Sequence, residues 1–241
     1  MNSKTALLFI SILALLLSAC AAAPTWPVSK KQVPVASGLR VSSLAKTDID
    51  TVAEIHQQES FSHLRTLMEK LYRRNPREWK KGGQASMDSA IARAFDAGLD
   101  WRFPELEGKR GAECLHFAFQ ESYSGDRVLA FIAGLATMVM ASYNDKSEFF
   151  MLDELDPQKL YNSARNAEIA VWKLSNTRDG RGELFLRSNE NDGANRNLSF
   201  EREFGKLIAQ QDTLARIVAE KTNRTVVRAI QSVATAAFLP I

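Results

Sequence analysis

The sequence lacks the short motifs by which several large enzyme classes are recognised. It has no GxxxxGK[ST] phosphate loop, and DGRGEL (179–184) carries only two of the three glycines of a GxGxxG fingerprint. A GxSxG nucleophile elbow is also missing, because SYSGD (122–126) lacks the first glycine. The motifs therefore give no reason to expect a nucleotide-dependent enzyme or an α/β-hydrolase.

Cysteine is scarce, and neither sign of charge is in large excess. Two cysteines in 241 residues cannot form a cysteine metal cluster or a disulfide framework. Cys114, within AECLHFAF, is predicted to be a buried small hydrophobic side chain. The 31 Lys and Arg face 28 Asp and Glu, a net charge of +3, which gives no reason to expect nucleic acid as a partner.

The apolar run near the start of the chain is too short to cross a bilayer. It extends from Ala6 to Leu17 and is interrupted only by Ser11. Such a helix rises about 18 Å, whereas a span needs about 20 apolar residues. With Lys4 before it, the run has the proportions of a secretory signal peptide.

The end of this run, Leu17-Ser18-Ala19-Cys20, resembles the lipobox of bacterial lipoproteins. The resemblance implies that residues 1–19 are a signal peptide and that Cys20 becomes the mature N-terminus. Cys20 would carry acyl chains such as palmitate, and two or more chains give stable anchoring. Ala21, where a retention signal would have Asp, implies the periplasmic face of the outer membrane. The alternative is an ordinary signal peptide that happens to contain a cysteine.

The rest of the chain divides into a tether and a folded part. Residues 20–47 contain three prolines and no clear hydrophobic period, so we predict that they form a flexible tether after the acylated Cys20. Residues 48–241 are predicted to form a single α-helical periplasmic domain. Cys114 is then the one cysteine left in the domain, and it has no disulfide partner within the chain.

Apolar spacing predicts an all-α fold for this domain, mainly a helical bundle of about seven to eight helices. One short β-hairpin near residues 183–200 is compatible with the pattern. Residues 128–141 are apolar on nearly every side, so we place them in the middle of the domain, as solid core or as the lining of a cavity.

Helix starts are predicted near Asp48, at Asn75 as a cap before Pro76, at Ser86 and at Asp156. The stretch AECLHFAFQES (112–122) alternates like a strand but is predicted to be helical. Further helices are predicted over residues 128–141, from about residue 200 to TNRT (222–225), and over residues 226–238.

Two long stretches carry a further resemblance. They are EFFMLDELDPQKLYNSARNAEIAVWKLSN (148–176) and NLSFEREFGKLIAQQDTLARIVAEKTNRTVV (197–227). Both are similar to uncharacterised lipoproteins of proteobacteria, and the similarity runs through most of residues 48–241. It implies a lipoprotein, but it implies no activity.

Histidine is also rare. His56, Glu59 and His63 share a helix face, yet the two imidazoles lie about 10.5 Å apart along the axis. One ion could not easily bind both, so we predict a solvated face, and no metal ion or other cofactor. His116, between Leu115 and Phe117, is expected to be a core histidine with its hydrogen bonds satisfied.

Two polar stretches are candidate interaction surfaces. The basic patch follows the first helix and consists of Arg73, Arg74, Arg77, Trp79, Lys80 and Lys81. Its bases could bind anionic lipid or an acidic partner, or could simply complement a helix dipole. The second set, which we call the Tyr161 patch, lies on one face of a helix and consists of Tyr161, Arg165, Glu168 and Trp172. It could be a recognition surface or a packing network.

Together these features favour a non-enzymatic, lipid-anchored adaptor of the bacterial envelope. Its expected partners are the membrane, through Cys20, and another envelope protein. Two alternatives stay open: a helical carrier of a lipid or other apolar ligand, and a hydrolase whose site is dispersed along the sequence.

Overall fold

The all-α prediction is confirmed by a computed structural model, which describes residues 46–97, 100–151, 153–190, 197–228, 232 and 235–241. These residues belong to the compact unit that spans residues 41–241. They contain seven α-helices and a 3-10 turn (Pro104–Leu106), with isolated β-bridges but no β-strand. The helices are α1 (Asp48–Arg74), α2 (Glu78–Lys81), α3 (Met87–Phe95), α4 (Ala112–Ala118), α5 (Arg127–Ser142), α6 (Pro157–Asn176) and α7 (Ser199–Thr222).

Capping residues place several helix starts where the sequence predicts them. Ser86 Oγ accepts a hydrogen bond from the Ser89 amide at the start of α3. At α6, Asp156 accepts from the Gln158 amide, and Pro157 occupies the first helical position. These side chains satisfy backbone N–H groups that have no partner within the first turn.

Helix α5 is the centre of the hydrophobic core. Fourteen of its sixteen residues are buried, and it contacts α1, α2, α4 and α6. Helix α7 packs across α1 and α6, and its Phe204 ring also meets the Phe131 ring of α5 (6.2 Å between ring centres). Across the described part of the chain, no helix combines the length and the hydropathy that a membrane span requires.

A glycine allows α4 to approach α5 closely. A Cβ atom added at Gly134 would lie 2.6 Å from Leu115 Cγ and 2.9 Å from the Gly111 carbonyl oxygen. Beside this contact, Thr137 Oγ1 accepts a hydrogen bond from the Gly111 amide (2.7 Å). The start of α4 is therefore seated against the backbone of α5.

Gly134→Ala is expected to lower the free energy of unfolding by about 1–3 kcal/mol through overpacking. Gly205, in α7, is the matched control because an added Cβ there meets nothing within 4 Å. Gly205→Ala should raise stability by about 0.5–1 kcal/mol, the gain that alanine normally gives inside a helix. Urea denaturation followed by circular dichroism measures both, and equal changes of the same sign would contradict the close contact.

Two sequence-based boundaries were wrong. Asn75 does not cap a new helix at Pro76; α2 begins at Glu78, and Arg77 stands at its N-cap position. Asn75 instead bonds the Arg187 main chain, with its Nδ2 donating to the carbonyl (2.9 Å) and its Oδ1 accepting from the amide (2.8 Å). The same Nδ2 donates to the Leu71 carbonyl (2.8 Å), so Asn75 ends α1 and at the same time fixes a loop distant in sequence.

The prediction of a last helix over residues 226–238 is also wrong, as far as the described residues show. Residues 226–228, 232 and 235–238 are not helical, and the intervening positions lie outside the described residues. The predicted hairpin near 183–200 shows single bridges between Arg178 and Leu184 and between Glu190 and Asn197, and residues 191–196 lie outside the description. Residues 1–45, which include the predicted signal peptide, Cys20 and most of the predicted tether, lie outside it too.

Candidate functional site

The basic patch lies around the junction of α1 and α2, and most of its charges have partners. Three of its bases contact carboxylates, in the pairs Arg73–Glu69 (2.5 Å), Arg74–Glu190 (3.1 Å) and Lys81–Glu78 (2.6 Å). The Lys80 ammonium lies 5.2 Å from the centre of the Trp79 ring, which itself packs against the core. Arg77 is exposed. The patch is thus partly tied into the fold.

The Tyr161 patch connects α6 to α7 through Arg165. The Arg165 guanidinium contacts Glu168 (2.9 Å) and Asp212 of α7 (2.5 Å), and lies 5.0 Å from the Tyr161 ring centre. Burial raises the pKa of both Glu168 and Asp212. Among the contacts of the described residues, Trp172 is not part of this network. Three of the four predicted residues therefore meet, and they join two helices.

A second polar face of α6 was not singled out in the sequence. Gln158, Asn162 and Asn166 are spaced four residues apart and so lie on one side of the helix. All three use their amide groups to bond the main chain of residues that come after α7. We call these three residues the amide ladder.

Asn166 is the most buried member of the amide ladder, with no exposed surface. Its Oδ1 accepts from the Leu239 amide (2.7 Å), and its Nδ2 donates to the Leu239 carbonyl (2.9 Å). One carboxamide therefore satisfies both main-chain groups of one residue, as a neighbouring strand would. Asn162 Nδ2 donates to the next carbonyl, that of Pro240 (2.8 Å).

Gln158 repeats this arrangement at the start of α6. Its Oε1 accepts from the Val227 amide (2.8 Å), and its Nε2 donates to the Val227 carbonyl (3.1 Å). The same Nε2 also donates to Asn162 Oδ1 (2.8 Å), so two members of the ladder orient each other. Two segments that follow α7 are thus held on α6 by side chains that bond the main chain alone.

Residues 236–241, which we call the docked segment, lie in a groove beside α4, α5 and α6. Phe238 and Ile241 pack against the core, and the Lys173 ammonium lies 5.9 Å from the Phe238 ring centre. Because Leu239 bonds Asn166 and Pro240 bonds Asn162, the docked segment runs antiparallel to α6.

Two cavities show that the docked segment leaves space in the groove. The first has a volume of about 510 Å³ and is bordered by Leu115, Phe119, Ala236, Ala237 and Phe238 among others. The second, of about 430 Å³, lies on the other side of Phe238, near the end of α5. The segment therefore presents two alanines to a largely apolar cavity.

A buried charged network lies on another side of the domain. The Arg127 guanidinium donates to the carbonyls of Phe117, Ala118, Gln120 and Tyr123, at 2.7–3.2 Å. The Arg127 amide donates to Glu78 Oε2 (2.8 Å). Burial lowers the pKa of Arg127, although the nearby Glu78 opposes that change. Arg127 therefore caps the C-terminal end of α4 and the turn that follows it.

Asp126, next to Arg127, is a buried carboxylate with two partners. Its Oδ1 accepts from the Leu129 amide (3.0 Å), and its Oδ2 accepts from the Tyr72 hydroxyl (2.7 Å). Burial raises the pKa of Asp126 to about 6, and nearby Glu78 adds to the rise. A polar cavity of about 450 Å³ next to this network is bordered by both Glu78 and Arg127.

The remaining candidate residues are dispersed. Cys114 is buried, as predicted; its thiol donates to the Lys109 carbonyl (3.0 Å), and burial raises its pKa to about 11. His63 pairs with Glu203 of α7 (3.1 Å). His116 was predicted in the core but is exposed. Within the part of the chain that the structure covers, no three His, Cys, Asp or Glu side chains are grouped to hold a metal ion.

Comparison with known proteins gives no assignment. Neither a family model, nor a curated protein, nor a solved structure matches this chain. The function must therefore be argued from the residues and their geometry.

Proposed function

We propose that this chain is a lipid-anchored, non-enzymatic interaction module of the bacterial envelope. The lipobox-like sequence ending at Cys20 and the proline-containing tether support the anchored part of the proposal. By the same resemblance, Ala21 supports a position on the periplasmic face of the outer membrane. A tether of this length would let the domain reach a partner several nanometres from the bilayer.

The observation that carries the interaction part is the amide ladder. Buried Asn and Gln side chains are costly unless both their donor and acceptor groups are satisfied. Here the buried Asn166 is satisfied by the main chain of a single residue without regular secondary structure. The half-buried Gln158 repeats the arrangement with Val227. Main-chain bonding combined with side-chain pockets is a general way for proteins to recognise peptides. This face is therefore equipped to hold an extended protein segment.

Cys20→Ala is expected to move most of the protein from the membrane fraction to the soluble fraction of the cell envelope. The reason is that one residue carries the acyl chains that provide stable anchoring. Fractionation with immunodetection measures the change, and Cys114→Ala is the matched control, because that buried thiol has no role in anchoring.

The same pair of variants tests the adaptor itself. Chemical cross-linking in cells, followed by mass spectrometry, should capture one specific envelope protein with the wild type and less of it with Cys20→Ala. Capture of no specific partner by either form would remove the support for an adaptor.

The carrier alternative depends on the cavity of about 510 Å³ beside Phe238, which has an apolar lining from Leu115 and Phe119. A carrier should retain a lipid when it is extracted from cells, and an adaptor should not. Native mass spectrometry of the wild-type protein distinguishes these two functions.

A further inference from the structure

We propose that the groove on α6 is a peptide-binding site, and that the docked segment is an internal ligand which an extended segment of a partner protein displaces. The ligand class is an apolar, extended peptide with an aromatic residue followed by an apolar residue and proline. This inference rests on the proposed function, because it names the class of partner that the module binds.

The hydrogen bonds define which main-chain groups the ligand must offer. Asn166 needs both the N–H and the carbonyl of the residue that takes the place of Leu239. Asn162 needs only the carbonyl of the next residue. Proline lacks an N–H but keeps its carbonyl, so it fits the second position and not the first. The position of Pro240 in the docked segment agrees with this requirement.

The cavities show at which positions an external ligand could make more apolar contact than the docked segment does. Ala236 and Ala237 border the cavity of about 510 Å³, together with Leu115 and Phe119 of the surrounding wall. Larger apolar side chains at these two positions would fill space that the alanines leave, and burying apolar surface favours binding. A partner segment with leucine-sized residues there would bind more tightly than the chain's own.

The contacts of the docked segment suit a ligand that can leave. Apart from its three bonds to the amide ladder, none of its side chains is fully buried, and both Ala237 and Pro240 are exposed. Helix α5 is also held by α1, α4 and α6, in contacts that do not involve the docked segment. Its displacement therefore leaves the helical core intact. Because it is covalently attached, it competes at an effective concentration on the order of millimolar.

The test uses the full chain with Leu239→Pro, which removes the N–H that Asn166 binds. The probe is a fluorescent, terminally capped peptide of sequence AAFLPI, measured by anisotropy. Leu239→Pro should bind the probe at least about tenfold more tightly than the wild type, because its own segment competes less. Phe238→Ala, which removes the ring that packs against the core, is a second way to weaken the internal ligand.

Two further comparisons separate a specific groove from a general apolar surface. Adding Asn166→Leu to Leu239→Pro should weaken peptide binding about tenfold or more, since two hydrogen bonds are lost. Adding Asn176→Leu is the matched control; Asn176 is exposed, bonds only within α6, and should change binding less than about twofold. The peptide LLFLPI should bind the Leu239→Pro variant about tenfold more tightly than AAFLPI.

Three results would overturn the proposal. The first is no peptide binding by either Leu239→Pro or Phe238→Ala, which would make the docked segment a permanent part of the fold. The second is binding that Asn166→Leu leaves unchanged. The third is a wild-type dimer that Leu239→Pro abolishes, which would assign the groove to a second copy of the chain. Each can occur while cross-linking still captures an envelope partner, so failure here is distinct from failure of the proposed function.

Discussion

Replacing Arg127 by methionine is expected to lower the free energy of unfolding by about 2–4 kcal/mol, because several hydrogen bonds from a charged donor are lost. The side chain is 8% exposed, and its guanidinium donates to four carbonyls at and beyond the end of α4. Methionine offers no donor, so the Ala118 and Tyr123 carbonyls lose their Arg127 hydrogen bonds. The Phe117 and Gln120 carbonyls lose the same donor but still accept from the Gln120 and Tyr123 amides (3.3 and 3.2 Å). Urea denaturation followed by far-ultraviolet circular dichroism at neutral pH measures the loss.

Two other variants control this prediction. Arg216→Met removes an arginine that is exposed on α7 and pairs with Glu220 of the same helix (3.2 Å), and it should change stability by less than about 0.5 kcal/mol. Arg127→Lys keeps the charge, but a single ammonium group cannot donate to all four carbonyls, so the loss of stability should be intermediate. A loss for Arg127→Met no larger than that for Arg216→Met would contradict the structural role given to this residue.

Most of the helices could be predicted from the sequence because their signals are local. Apolar spacing and capping residues such as Ser86 and Asp156 act within one or two turns, and the structure has helices at these places. The strongly apolar residues 128–141 were placed in the middle of the domain, and nearly all of them are buried in α5. In each case the residues that decide the outcome are neighbours along the chain.

The amide ladder was not predicted because its partners are distant in sequence. Asn166 bonds a residue 73 positions further along the chain, so its neighbours in sequence do not reveal its partner. The stretch YNSARNAEIAVW was noted for Tyr161 and Arg165, which share one face. The useful signal was the four-residue spacing of Gln158, Asn162 and Asn166, which places three amides on a different face.

The same reasoning explains the helix that was wrongly predicted after α7. Residues 226–238 are rich in valine and alanine and read as helical by composition. The Val227 main chain is instead bonded by Gln158, and the Leu239 main chain, just beyond that range, by Asn166. Main-chain groups that are used by α6 side chains cannot also form bonds within a helix of their own. Tertiary partners thus override local propensity where a long helix presents unpaired amides.

The Asp126 carboxyl is expected to make wild-type stability fall as the pH rises from about 4 to above 6. Its pKa is about 6 in the folded chain, against an ordinary value of 3.8, because burial disfavours the charged form. Between these values the folded state binds more protons than the unfolded state, so stability decreases with rising pH. The two pKa values correspond to a total loss of about 3 kcal/mol from this group.

Asp126→Asn removes this titration but keeps an oxygen that can accept from the Leu129 amide. Relative to the wild type, its free energy of unfolding should therefore increase by about 3 kcal/mol between pH 4 and pH 7. Tyr72→Phe tests the cause from the other side, since the Tyr72 hydroxyl bond lowers the pKa of Asp126. Without that bond the pH window should move upward, because the charged form loses a donor. A stability difference between Asp126→Asn and the wild type that is independent of pH would show that Asp126 stays ionised throughout, with its two donors outweighing the cost of burial.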